Sequence, residues 1–127
     1  MKYIVDSAKT VEQAATDLDT AVKNNKFGVL HVHDLKAILN SKGIDFENEC
    51  KVFEVCNPMQ ANKVLNDDMS MNMALPCRIS VWSEGGQTKI GMISPKEMLA
   101  MLSDSAALAT IADEVEITTT KIIDEAK

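Results

Sequence analysis

The stretch Glu54-Val55-Cys56-Asn57-Pro58 puts a thiol where an extended run gives way to a helix start. Asn is a favoured helix N-cap. Pro fits the first helical position because its missing N–H has no partner there in any case. A sulfur one residue outside such a terminus lies in the positive field of unpaired amides. That field favours thiolate, so the spacing predicts a lowered Cys56 pKa and a thiol suited to redox chemistry. Glu54, two residues back on the same strand face, pushes the other way, and side-chain direction decides which prevails. The plainer reading is a small buried hydrophobe packing a strand-to-helix corner. Cys77 is the natural partner for a thiol pair, but strand parity separates the two. Cys77 points with Ile79 and Val81 toward a core, whereas Cys56 points with Glu54, away from Phe53 and Val55. Thiols on opposite sheet faces do not bridge. Cys50 shares the face of Cys56 but lies too far along an extended strand to touch it.

Three other patterns bear on chemistry. His31 and His33 alternate along a strand and face the same way, as a two-histidine metal site requires, with Glu54 or Cys56 available if the strands are neighbours. Their plainer role is as polar residues on a wet sheet face or at a dimer contact. Met69, Met71 and Met73 offer soft thioethers of the kind that hold copper(I), although a flexible apolar stretch filling gaps is the commoner use. Arg78 and Trp82 share one strand face opposite its core positions, an arrangement suited to a planar ligand or a contact between chains. No G-x-G-x-x-G, G-x-x-x-x-G-K, H-E-x-x-H or G-x-S-x-G is present, so nucleotide binding, zinc proteolysis and serine hydrolysis have no motif to stand on.

The elements that must position these residues are legible from periodicity. Residues 2–6 read as a strand. Thr10 with Gln13 opens a helix carrying Val11, Ala14, Ala15, Leu18 and Val22 at helical spacing. Residues 28–33 alternate, with Leu30 and Val32 on one face and the histidines on the other. Asp34 caps a short helix that Gly43 stops. Residues 50–56 form a strand, and a helix runs from Pro58 to about Leu65. Residues 77–83 and 87–93 flank Glu84-Gly85-Gly86, a hairpin signal. Ser94-Pro95-Lys96-Glu97 opens a helix with Met98, Leu99 and Leu102 as its apolar stripe. A last helix covers Ala106 to about Lys127, against the β-branched character of its Glu116–Ile123 stretch. These elements make a single α+β domain over residues 1–127, with a mainly antiparallel sheet and helices on one face.

Composition sets further bounds. With 127 residues, 46% apolar and 25% charged, the chain is long and apolar enough to bury one core. A net charge of −6, with one arginine and scattered lysines, argues against nucleic acid and against an anionic membrane surface. No apolar run reaches the ~18 residues of a membrane span, and the N-terminus lacks an apolar signal core. A segment removed on processing would leave no trace. Three cysteines without a C-x-x-C argue against a disulfide framework or a zinc ribbon, and a reducing cytoplasm is the simplest compartment.

Several segments together carry a resemblance. Phe27-Gly28-Val29-Leu30, Asp34-Leu35-Lys36-Ala37, Glu54-Val55-Cys56-Asn57-Pro58 and Leu75-Pro76-Cys77, in this order, resemble the bacterial and archaeal family known as domain of unknown function 302, over about Tyr3 to Leu102. The resemblance implies a compact α+β fold, helices on an antiparallel sheet and a homodimer. It implies no reaction and no cofactor. His31, His33 and the tail from Glu116 lie outside what the family requires.

Three functional readings follow. The first is a dimer that binds a small ligand or protein partner on the outer sheet face, which carries His31, His33, Glu54, Cys56, Arg78 and Trp82. The second is a thiol-redox role for Cys56, with Asn57 and Pro58 framing it and Cys77 nearby. The third is metal binding through His31 and His33. None of the three makes the chain an evident enzyme.

Overall fold

Each helix start is written into the chain as a side chain that accepts from the first turn. The computed structural model describes every residue, Met1–Lys127. The order is β1 (Lys2–Ser7), α1 (Val11–Asn24), β2 (Gly28–Asp34), α2 (Leu35–Ser41), β3 (Cys50–Cys56) and α3 (Pro58–Asp67). A 3₁₀ segment (Met69–Ala74), β4 (Cys77–Glu84), β5 (Gln87–Ile93), α4 (Pro95–Leu102) and α5 (Ala106–Ala126) complete it. The Thr10, Asp34, Asn57 and Ser94 side chains accept from the amides of Gln13, Ala37, Gln60 and Glu97. Each such cap contributes about 1 kcal/mol. The Gln13 side chain bonds Asp17 instead of returning to Thr10, so that capping box is half made.

The sheet runs β1-β5-β4-β3-β2 with every neighbour antiparallel. Its inner face sets Phe53, Val55, Ile79, Val81 and Ile90 against Leu18 and Val22 of α1 and Ile122 and Ile123 of α5. Burying each such side chain stabilises the fold by roughly 1.5–3 kcal/mol. The β-branched stretch of α5 is helical throughout. The Thr118 and Thr119 hydroxyls donate to the Glu114 and Val115 carbonyls, and Val115, Thr119, Ile122 and Ile123 are buried. Tertiary burial outweighs a modest intrinsic cost.

Two expected core residues lie outside. Leu30 is 63% exposed because the β2–β3 register slips between Val29 and His31, leaving Leu30 without a cross-strand partner. Val29 takes the inward position and packs on the core. Leu102 is 54% exposed because α4 ends there, and Leu99 alone of its stripe is buried.

Candidate functional site: a cleft where two strands part

The register sorts the outer face into cross-strand rows. His31, Glu54 and Arg78 form one row across β2, β3 and β4. His33, Val52, Ser80, Gly91 and Ile4 form the next, across all five strands. Cys50, Trp82, Lys89 and Asp6 form a third. His31, His33, Glu54, Arg78 and Trp82 therefore share a face, as parity predicts, but they do not make one site.

On the β2–β3 side the arrangement is polar and self-satisfied. His33 Nε2 lies 3.0 Å from Glu54 Oε1, and the His31 and His33 rings meet edge to face with centroids 4.4 Å apart. Arg78 reaches Glu54 only at 3.9 Å. No group of three or more His, Cys, Asp or Glu side chains is placed to hold a metal ion. The three methionines do not converge either. Met71 is buried with Val64, Leu99 and Leu108, while Met69 and Met73 are exposed.

The thiol corner departs from expectation in its electrostatics. Asn57 caps α3 and Pro58 opens it, so the predicted backbone switch is in place. The Cys56 thiol is nevertheless pushed above its ordinary value, with burial as the cause. Loss of solvation disfavours the thiolate. The Cys77 thiol is pushed up to about 11, first by burial and then by the charge Cys56 would carry. Both cysteines are free, and both border a small cavity of about 30 Å³ with Gln60 and Val64. Parity had set them on opposite faces. The alternation gives out where β3 ends, and Cys56 turns toward the α3 side. The Gln60 Oε1 atom is buried there without a hydrogen-bond partner.

A larger opening lies on the other half of the sheet. Glu84 and Gln87 pair around Gly85-Gly86, whose φ angles of 57° and 80° make the two-residue turn possible. The β4–β5 pairing runs from there to Ser80–Gly91 and stops. Both strands continue on other partners: β4 pairs with β3 as far as Cys77–Val55, and β5 with β1 as far as Ile93–Lys2. The two strands therefore part below Ser80–Gly91. A cleft of about 430 Å³ occupies the opening, with Arg78 and Ile79 on one bank and Met92 and Ile93 on the other. It reaches from Trp82 and Ile4 on the outer face to Met98 and Thr119 in the helix layer.

Gly91 sits at the apex of the split. A methyl group there would lie 3.0 Å from Ile4 Cγ1 and from the Tyr3 carbonyl oxygen, and 3.2 Å from Trp82 Cη2. The missing side chain lets Trp82 and Ile4 close over the strand and wall the cleft. Arg78 and Trp82 of the predicted site thus border the cleft, as does Cys77, whereas His31, His33, Glu54, Cys56, Asn57 and Pro58 do not. Lys2, Ile4, Ser80 and Ile93 escape notice in the sequence. A signal for the place was present, since an isolated glycine inside a strand marks a close approach or an irregularity.

A five-stranded antiparallel sheet with helices layered on one face and a cleft through its β4–β5 seam defines a small α+β domain. The chain belongs to the family described as Domain of unknown function DUF302, whose model matches residues 3–126. That span includes α5, beyond the segments that carry the resemblance in sequence. The fold is shared with a crystal structure of an uncharacterised conserved DUF302 protein from Bacillus stearothermophilus. The two are 33% identical with a TM-score of 0.93, over 99% of this chain and 98% of the other. Among curated proteins none matches the chain. No helix is long and apolar enough to cross a membrane.

Proposed function

We propose that this protein binds a small molecule in the cleft between β4 and β5. One observation carries the reading: two strands that pair well near their hairpin part below Gly91 around about 430 Å³ of mostly apolar-lined space. That volume falls in the ~300–1,000 Å³ range of small-molecule sites. The test is thermal stabilisation by a panel of small apolar and amphipathic compounds, run on the wild type and on Ser80→Phe. Ser80 lies at the cleft on the outer face and outside the core, so a phenyl ring there obstructs the opening while leaving the fold intact. At least one compound should raise the wild-type Tm and leave the variant unmoved. No shift with any compound, or equal shifts in both proteins, overturns the reading.

A second reading concerns pairing with another copy of the chain. β2 is a free sheet edge, and Leu30 and Val32 on it are exposed. α2, which follows, carries no buried residue and exposes Leu35 and Ile38. Contiguous apolar surface on an edge strand and its neighbouring helix is what a dimer contact covers. Light scattering should give a dimer that Ile38→Glu turns into a monomer. A monomeric wild type removes this reading.

A further inference from the structure

The cleft cuts into an acidic protein, yet the charged side chains that border it are both cations: Lys2 on the β1–β5 bank and Arg78 on the β4 bank. Two of the nearby carboxylates are engaged elsewhere, Glu97 with the N-terminal amine at 2.7 Å and Asp6 with Lys89 at 2.9 Å, while Glu54 bonds His33 at 3.0 Å. Lys2 forms no ion pair, and the one contact of Arg78 is its 3.9 Å approach to Glu54. Two cations thus stand on opposite banks of an apolar-walled opening, Lys2 without an ion pair and Arg78 with only that long contact.

Backbone parity adds donors at the same place. The two-residue turn makes Glu84–Gln87 a hydrogen-bonded pair, and every second pair beyond it has the same character. In that register Arg78 and Ile93 form the next such pair after Ser80–Gly91. The Ser94 amide donates to the Met1 carbonyl, which fixes the even-numbered end of β5 as bonding to β1 and turns the Ile93 amide toward β4. The pairing has stopped by then. The main-chain groups of Arg78 and Ile93 therefore face each other across the cleft without joining, an N–H and a carbonyl from each.

We propose that the ligand of this cleft is an amphipathic anion, whose carboxylate or phosphate head lies between Lys2 and Arg78. Its apolar body runs between Ile93 and Ile79 toward Met98. The inference rests on the cleft being a ligand site and specifies which chemistry it takes. Guanidinium suits both oxyanions because its fork of donors meets two oxygens at once, and the ammonium from the other bank adds charge without demanding geometry. The amides that parity turns toward the cleft offer further donors. The apolar walls exclude a bare inorganic ion as the preferred occupant, since it would leave most of the opening unfilled.

The single tryptophan of the chain, Trp82, borders the cleft, so its fluorescence reports occupancy without a label. Octanoate, octyl phosphate and 1-octanol are titrated against the wild type and against Lys2→Gln/Arg78→Gln, with acetate and inorganic phosphate as headgroups alone. Both substituted residues are exposed, so the variant keeps its fold. An octyl anion should bind at least about tenfold more tightly than octanol, in line with charge-assisted bonding. The advantage should shrink with added salt and vanish in the variant. The stronger of the two anions identifies the headgroup. Equal affinity for anions and octanol, or an anion preference unchanged in the variant, overturns the anion assignment while leaving the cleft a binding site. A flat signal with every octyl compound overturns both, and saturation by acetate or phosphate alone at the same affinity reduces the site to an ion-binding patch.

Discussion

Two cavities lie on either side of Pro76 and Cys77, and they differ in almost every respect that matters to function. The thiol corner holds the residues with the most obvious chemistry: two cysteines, a helix start and an amide side chain. It holds only about 30 Å³, and burial pushes both thiols up. The cleft holds few reactive groups. It is more than ten times larger and bordered by cations. Reactive residue types therefore do not mark the opening. Strand pairing does, because space appears where a ladder stops and packing cannot refill it.

The sharpest test of this contrast is alkaline stability. A thiol whose folded pKa is raised stabilises the folded state at pH values below the unfolded value, and that contribution is lost as pH rises through the folded value. For Cys77 the window runs from 9.0 to about 11. The wild type should lose about 2–3 kcal/mol across it relative to Cys77→Ala, measured by urea unfolding at successive pH values. Parallel curves for the two proteins would show the corner to be wetter than described. Alkylation of Cys77 should correspondingly climb with pH until about 11.

Gly91→Ala probes the other cavity. The new methyl presses on the Tyr3 carbonyl and on Ile4, so a loss of about 1–3 kcal/mol is expected in thermal or urea unfolding, together with altered Trp82 emission. An unchanged Tm and spectrum would mean that the apex has room to spare. Asn57→Ala removes the cap of α3 at the thiol corner and should cost about 1 kcal/mol without changing Trp82 emission. A changed spectrum there would couple the two cavities. The smallest effect belongs to the polar half of the sheet. His33→Ala breaks the contact with Glu54, and exposed pairs of this kind contribute about 0–1 kcal/mol. A loss beyond that range would give the histidine pair a structural role that its exposure does not suggest.

The caps, the hairpin and the inward residues of β3 and β4 were legible because each depends on neighbours in sequence: a side chain and the amide three residues on, a glycine pair at a turn, an alternation of two. The slip at Leu30 was not, since a bulge depends on the partner strand as well as on its own residues. The balance at Cys56 was open in the sequence for a related reason. The helix terminus is local and visible in Asn57-Pro58, whereas the burial that raises the thiol comes from α3 and the Leu75–Cys77 segment around it.

The chain by itself determined the element order, the helix starts and the face on which Arg78 and Trp82 lie, because these follow from short-range hydrogen bonding and from the period of the backbone. Only the tertiary structure decided that β4 and β5 part below Gly91 and that Lys2 and Arg78 border the same opening. Those residues lie far apart in sequence, and what brings them together is the separate hold that β3 and β1 keep on the two strands.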